Sequence, residues 1–533
     1  MFDFYRSRIS FAVILYGLLF ASIFTTPVIV AAPAPQSITF PVSHFTLEGE
    51  LPLPDDELNT VLSELEGKDY GLAELQAVTQ EVEQLIRDAG FAFYRVILPP
   101  QTLAEGEVIL KVVSFALGDV EIKGNHFFSH ANLLASIPEL QTGISPNTQF
   151  LGEQLKVANH HPSKEITVVF KQSGSADEIA AKVDVLESRP YQFSLSANNT
   201  GSSDTGKARI TGAFQYSNLW QKDHIANASY TTSPNHTSEV MQYGLSYSAP
   251  LYDAGGWLTA YYARSEVESG QITFEGGNMD VSGAGKMFGV HYLQFLPKVG
   301  RYEHAVDVGF DNRFFETTTN LTLGDINYGD TTPEIRSTPL TLLYKGNIPL
   351  GSTYIGHHLS WSKNLGLGSR NDAEAYQDVG FIDDRPLKEQ WDLFRYGAFV
   401  NVDKKGWLYR ASLKGQYSNE PLISGEQFGL GGAYSLRGYK EREVGTDVGN
   451  SLTLEAFTPQ WKGTKLLAFY DYGKGRSHNV DTPDWNLASV GVGLRYQWST
   501  HFQASIDIGH TLKDGSVSSA HETNAHASLV LQY

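Results

Sequence analysis

From Tyr191 onward apolar and polar residues alternate and helical periodicity is absent. Sixteen such runs can be marked, at roughly 190–199, 207–217, 223–232, 238–249, 257–266, 284–294, 302–314, 338–347, 353–363, 390–402, 407–418, 450–457, 463–472, 486–498, 502–511 and 523–533. Alternation with period two sends successive side chains to opposite faces of a strand. Each run is about the length that a tilted strand needs to cross a bilayer, and an even number of them closes an antiparallel barrel. The connections also alternate: Leu219 to Asp223 is short, whereas 267–283, 315–337, 364–389 and 419–449 are long, the difference expected between turns on one side of a barrel and loops on the other.

The pattern before Tyr191 is different. A strand-like stretch runs from Ile38 to Leu53. Asp55-Asp56 can cap a helix through Leu65, and Gly71 to Ala89 reads as a second helix with Leu75, Val78, Val82 and Leu85 on one face, ended by Gly90. Strands at 93–98 and 107–114 follow, separated by Pro99-Pro100-Gln101 and Gly106, which makes the order β-α-α-β-β. A second copy starts at Gly118-Asp119-Val120-Glu121-Ile122, with helices at His126–Ile137 and Gln149–Val157 and strands at Ile166–Lys171 and Ala180–Val185. The segment Leu98-Pro99-Pro100-Gln101 to Gly106-Glu107-Val108, and the restart at Gly118 to Gly124-Asn125, resemble tandem polypeptide-transport-associated (POTRA) domains. The expected fold is therefore mostly β, with two small α+β POTRA domains (38–116 and 117–188) ahead of a 16-stranded antiparallel transmembrane β-barrel (189–533). POTRA domains imply a periplasmic module that takes up extended client segments by adding them to an exposed sheet edge; a role as plain spacers is the alternative.

Composition suits a barrel. Among 533 residues there are 50 Gly and 27 Tyr, and aromatics make up 12%. The mean hydropathy of −0.24 is too polar for a helical membrane protein. Cysteine is absent, which excludes disulfides, thiolate metal sites and Cys nucleophiles. A net charge of −19, with no basic cluster beyond pairs such as Lys404-Lys405, argues against nucleic acid. Arg6 and Arg8, an apolar run from Ile9 to about Val30 and Ala31-Ala32-Pro33-Ala34-Pro35 fit a secretory signal peptide over 1–32, with 33–37 as a short linker; an uncleaved helical anchor is the alternative, since the run could nearly span a bilayer. A stub that short cannot thread a hydrocarbon core of ~30 Å at ~1.5 Å per helical residue.

Two motifs near the C-terminal end carry the most information. The first is Leu436-Arg437-Gly438-Tyr439, in the Gly-rich stretch that starts at Gly429; the second is Phe469-Tyr470-Asp471-Tyr472-Gly473 in a strand-like run. With them stand Tyr191 to Gly201, including Asn198-Asn199-Thr200-Gly201, and Asn218-Leu219-Trp220 with Asp223. Together they resemble the two-partner secretion transporters, the haemolysin secretion/activation family, over nearly all of the expected mature chain. The usual Asp-Asn-x-Gly of the family is Asn198-Asn199-Thr200-Gly201 here, Leu436 stands where Val is usual, and Tyr533 replaces a terminal Phe. The resemblance implies an outer-membrane pore in Gram-negative cells that exports a large haemagglutinin- or haemolysin-like exoprotein captured unfolded by the POTRA domains. It also implies that the loop at about 419–449 folds into the barrel, where Arg437 would meet Asp471. On the strand, Phe469, Asp471 and Gly473 share one parity and face the lumen together, while Tyr470 and Tyr472 face lipid. Leu529, Leu531 and Tyr533 form the expected signal for the barrel-assembly machinery.

Other groups have plainer readings. His160-His161 lacks a third ligand and reads as a polar loop rather than a metal site. Gly429-Leu430-Gly431-Gly432 and Gly491-Val492-Gly493 lack the features of a phosphate loop. No carboxylate pair or Ser/His/Asp grouping points to an enzyme, and no cofactor or nucleotide is expected. The expected partners are the exoprotein client, outer-membrane lipid and, during biogenesis, the assembly machinery, with the pore itself a monomer. An assembly factor of the same superfamily and, less so, a passive porin are the alternatives.

Overall fold

The computed structural model describes residues 39–533 except 103–105, 176, 203–204, 267–268, 275–276, 283, 317–319, 324–325, 331–333, 383 and 479–482, and leaves out the side chains of 55, 267–283, 317–333 and 381–383. The expected signal peptide and 33–37 linker lie outside the described residues. The chain forms two compact units: the residues up to Val82 with Val96–Val112, and Glu83–Arg95 with Val113–Tyr533.

In the N-terminal region the sheet order is His44–Glu48, Glu107–Ser114, Tyr94–Ile97, the first pair running parallel. Helices α1 (Asp55–Leu65) and α2 (Leu72–Asp88) bury Leu58, Leu62, Leu75, Val78 and Val82. On α2 the buried stripe ends on Ile86 and not on Leu85, because a 3-4-4 spacing follows the helical repeat more closely. The β-α-α-β-β order also needs correction: Lys68–Gly71 is an additional strand between the helices and pairs with Thr39–Val42. Four residues of mixed polarity are too few to show a period of two.

The second POTRA-like body has the sheet order Ala116–Lys123, Glu178–Glu187, Lys164–Gln172. Helices α3 (His130–Ala135) and α4 (Thr148–Asn159) lie over a core that includes Leu117, Phe128, Leu133, Ile137, Leu151 and Val183. Helix α3 is shorter than the expected 126–137, since Ser129 caps it by accepting from the Asn132 N–H at 3.2 Å. Asn147 caps α4 in the same manner.

The barrel closes with sixteen antiparallel strands. They are β1 (Tyr191–Asn198), β2 (Arg209–Leu219), β3 (His224–Thr232), β4 (Gln242–Leu251), β5 (Gly256–Ser265), β6 (Gly285–Phe295), β7 (Glu303–Phe315), β8 (Ile335–Ser337 with Pro339–Leu350), β9 (Thr353–Asn364), β10 (Asp392–Lys404), β11 (Trp407–Ser418), β12 (Val448–Phe457), β13 (Thr464–Arg476), β14 (Trp485–Ser499), β15 (Phe502–Thr511) and β16 (Thr523–Gln532). Strand β8 breaks at Thr338, directly before Pro339, whose missing N–H cannot serve a continuous ladder. The seam is short, from Asn198↔Ser528 to Ser194↔Gln532, and Tyr533 extends it through mutual backbone bonds with Phe193 at 2.8 and 2.9 Å. Leu529, Leu531 and Tyr533 all face outward. Two of the long connections contain hairpins of their own, Ser269–Phe274 with Gly277–Ser282 and Asn320–Leu323 with Ile326–Asp330, and a third contains the helix Ala373–Ile382. Among the described residues no helix is long and apolar enough to cross a membrane.

Candidate functional site

Strand β13 alternates as its sequence dictates. Phe469, Asp471 and Gly473 are buried on the lumen side, and Tyr470 and Tyr472 are half-buried on the other face. The long β11–β12 connection enters the lumen as a narrow ribbon, Phe428–Leu430 paired with Val444–Thr446. Its tip carries the first motif. Leu430, Leu436, Tyr439 and Val444 pack with Leu487 of β14, an apolar plug that holds the tip against the wall. Gly473 makes room for it: a Cβ there would lie 2.9 Å from Leu430 and 3.0 Å from Leu436. Gly438 has φ +97° and passes so close to β15 that a Cβ would stand 3.0 Å from the Gly509 carbonyl carbon.

Arg437 points into a belt of alternating charges. Its Nε and Nη2 donate to the two Asp471 oxygens at 2.8 and 2.9 Å, and its backbone N–H adds a third bond at 3.1 Å. Nη1 donates to Glu455 of β12 at 2.9 Å and lies 3.6 Å from Asp507 of β15. The guanidinium plane stacks on Phe469, 3.6 Å from the ring centroid. Glu455 also meets Arg410 at 3.4 Å, and Asp507 is gripped by Arg495 at 2.6 and 2.7 Å. Three cations thus face three carboxylates, an arrangement in which no buried charge is left unpaired. Gly438 is held on both sides, its carbonyl by Asn524 at 2.6 Å and its N–H by His526 at 3.3 Å. The buried Tyr439 hydroxyl lies 3.0 Å from the Ala488 carbonyl and 2.8 Å from that of Lys513, and accepts from the Ala488 N–H at 3.1 Å.

At the root of the ribbon the buried Asp447 accepts from Arg385 at 2.7 Å to each oxygen, from the Leu422 N–H at 3.0 Å and from the His478 N–H at 2.8 Å. Beside the ribbon a cavity of about 870 Å³ remains, lined by Trp257, His291, Lys345, Arg395, Tyr434 and Glu441 among others. The lumen is therefore filled in part by the loop and in part open. No cluster of three or more His, Cys, Asp or Glu among the described residues is arranged to hold a metal.

The profile of the haemolysin secretion/activation proteins ShlB/FhaC/HecB matches residues 178–496, and that of the ShlB-type POTRA domain matches 40–114. The chain belongs to this family. Among its relatives, the heme/hemopexin transporter protein HuxB of Haemophilus influenzae is 19% identical over 523 residues, covering 93% of this chain and 87% of the relative. The outer membrane transporter CdiB of Dickeya dadantii is 22% identical over 445 residues, covering 79% and 75%. Of solved structures, CdiB from Escherichia coli shares the fold with a TM-score of 0.71 at 17% identity, over 95% of this chain and 93% of that one. The transporter is thus an outer-membrane β-barrel of the two-partner secretion type, acting with a secreted exoprotein and carrying its POTRA domains in the periplasm. Its family is one of secretion pores and not of enzymes.

A second polar constellation joins the second POTRA body of the transporter to the short periplasmic turns of the barrel. Lys164 Nζ lies 2.6 Å from Asp223 Oδ2, both side chains fully buried, and the Tyr252 hydroxyl donates to the same oxygen. Burial pushes the Lys164 ammonium below its usual range while Asp223 opposes the shift. Asp223 ends a turn in which Trp220, Gln221 and Asp223 all have φ between +56° and +61°, a strained backbone held by these contacts. Asn132 donates to Asn218 at 3.2 Å, and Trp257 Nε1 donates to the Val157 carbonyl at 3.0 Å. His160 and His161 are not a polar loop. The His161 ring is only 3% exposed; its Nε2–H donates to the Ser217 carbonyl and its Nδ1 accepts from the Ser163 N–H at 3.2 Å. Both imidazoles have pKa values pushed down to about 4, chiefly by burial.

Of the residues singled out in the sequence, the fold brings Leu436, Arg437, Gly438, Tyr439, Phe469, Asp471 and Gly473 into one site. Leu529, Leu531 and Tyr533 lie on the outer face, away from it. Sequence reasoning missed Glu455 and Asp507, although a carboxylate of lumen parity inside a spanning strand is a usable signal. Asp447 and Lys164 gave no such sign, since a charge in a loop or at a strand start is ordinary.

Proposed function

We propose that this transporter exports a large haemagglutinin- or haemolysin-like exoprotein, using the ribbon between β11 and β12 as the gate. The observation that carries this reading is the charge belt around Arg437: a loop held in a pore by a buried guanidinium and three carboxylates is built to occupy a defined position rather than to fill space. The client would be captured extended, by adding a strand to a sheet edge such as 119–123, which pairs on one side with Glu178–Glu187, the edge at Leu117 being already bonded to Gly143 and Ile144. Folding of the client outside the cell would then bias its passage, with no nucleotide consumed. The signal peptide over 1–32, the monomeric state and delivery by the barrel-assembly machinery belong to the same proposal.

Deletion of residues 425–445 tests the gate: the pore should conduct more and secretion of the co-encoded exoprotein should stop. Unchanged conductance would place the loop's function elsewhere. For capture, the isolated N-terminal region of the exoprotein, unfolded, should bind the transporter, and binding by the pre-folded client alone would rule out edge addition.

A further inference from the structure

The ribbon is fastened to the barrel at a second place that the sequence motifs do not mark. Glu426, the last residue of a short 3-10 turn (Ser424–Glu426), is fully buried against the lumen wall. Its carboxylate accepts from Arg313 of β7 at 2.8 and 3.0 Å and from the Ser337 hydroxyl of β8 at 2.8 Å, and Arg395 of β10 lies 3.5 Å away. Its backbone carbonyl accepts from Gln416 of β11 at 3.0 Å and from Arg395 at 3.3 Å. None of these residues belongs to the Arg437 belt, which lies on β12, β13 and β15 with outlying cations on β11 and β14. The charges are also reversed in sense: at the tip the loop supplies the cation and the wall the anions, while here the loop supplies the anion and the wall the cations.

The position of Glu426 along the loop matters as much as its partners. Outward of it, Leu422 and Ile423 are seated in an apolar cluster with Phe315, Ile335, Trp391 and Leu393. Inward of it, Gln427, Phe428, Gly429 and Gly431 line the cavity beside the ribbon. Both roots of the loop, at the ends of β11 and β12, stand next to the arc that holds Arg437. The Glu426 stem reaches round to β7, β8 and β10, whereas directly beyond it Phe428–Leu430 pairs with Val444–Thr446 and Leu430 packs against Gly473 and Leu487 on the β13–β14 side.

The two attachments also differ in what would remain after release. Arg313 keeps Asp311 at 2.8 Å, which is itself tied to Tyr261 at 2.5 Å and to His291 at 3.0 Å, and Arg395 keeps Gln416 at 2.8 Å. Asp471 has Arg437 as its sole ion-pair partner among the described residues. Wall groups that retain partners make Glu426 the cheaper contact to break.

We infer that Glu426 is a positioning residue that pins the stem of the ribbon to the β7–β10 side of the wall: its release, with Arg437 still in place, frees the stem 424–427 from that side and widens the passage beside β4–β11. This rests on the reading of the ribbon as a gate. The test uses the full-length transporter in planar bilayers, where conductance is read without any client and so fails or succeeds apart from secretion. Glu426→Gln preserves size and should raise single-channel conductance about twofold or more, with heat-modifiable mobility unchanged. The Arg313→Gln/Arg395→Gln pair should raise it as well, although it removes charge of the opposite sign, and Glu426→Asp should fall between Glu426→Gln and the parent. If the Gln variants move only ion selectivity, in opposite directions, Glu426 acts through lumen charge and the inference is overturned. Unchanged conductance in folded Glu426→Gln overturns it too.

Discussion

The tip of the ribbon and the joint between the second POTRA body and the barrel both hold a buried cation against a carboxylate, yet they are built on different principles. At the tip, Arg437 shares itself among Asp471, Glu455 and Asp507, and each of the outer carboxylates has another arginine. At the joint, Lys164 has Asp223 as its one ion-pair partner among the described residues, with a longer hydrogen bond to the Asn132 side chain at 3.4 Å, beside Phe128 and Tyr252. A shared belt beside an open lumen can exchange partners and water. A single pair in dry surroundings has no substitute, so its loss leaves an uncompensated charge. The first arrangement suits a loop held beside an open lumen and the second a joint with no solvent in reach.

The largest effect expected follows from Arg437. Arg437→Ala removes the centre of the belt and should reduce secretion by about tenfold or more while leaving insertion intact, on the basis of ~3–5 kcal/mol for an orphaned buried charge. Asp471→Ala should be milder, since Glu455 and Asp507 remain. The double variant should be little worse than Arg437→Ala, because a shared contact is lost once; secretion assays with surface-expressed barrel as control decide this, and fully additive defects would separate the two residues.

At the joint, Lys164→Met should expose the β2–β3 turn to protease, with a loss of roughly 3 kcal/mol. Adding Asp223→Leu should restore part of it, because removing both charges leaves nothing buried and unpaired. If the single and double variants are cut at equal rates, the pair does not hold the joint.

The joint should also respond to acid. His161 has a pKa of about 4 when docked and about 6.5 when free, so the undocked form binds the proton more readily. Its contribution is complete above about pH 6.5, shrinks as pH falls and is lost near 4. Asp223 raises this pKa and Lys164 and His160 lower it, with burial the largest cause. Going from pH 7 to 5 should cost the docked state roughly 2 kcal/mol through His161 and a similar amount through His160, whose pKa is also about 4, seen as faster proteolysis of the turn, and His161→Gln should roughly halve that dependence. A pH-independent cleavage rate in the parent would show that the imidazole stays accessible.

Smallest is Tyr439→Phe. It removes one hydroxyl that serves the Ala488 and Lys513 carbonyls and the Ala488 N–H, worth about 1–2 kcal/mol. Secretion should persist at reduced level, with conductance noisier than in the parent; loss as complete as in Arg437→Ala would make the hydroxyl an equal partner in the anchor.

Much of the architecture was legible because β-barrels write their geometry into period two. Sixteen alternating runs correspond to sixteen strands, and the parity of Phe469, Asp471 and Gly473 fixed their common face without reference to any neighbour. The helical spacing of Leu75, Val78 and Val82 was legible for the same reason, since a helix face is a local property of the chain. Lys68–Gly71 was not legible, because four residues carry too little pattern, and neither was the burial of His161, because it depends on Ser217 and Trp257 coming from a different body. The same divide runs through the site. The sequence by itself determined which side chains enter the lumen; which of them meet was decided by strand register, which sets Asp471 beside Thr453 and Ser489 and so places it under the ribbon tip. That Glu426 finds Arg313 and Arg395, 113 and 31 residues away, follows from closure of the barrel, since only a closed wall brings β7 and β10 round to face one loop.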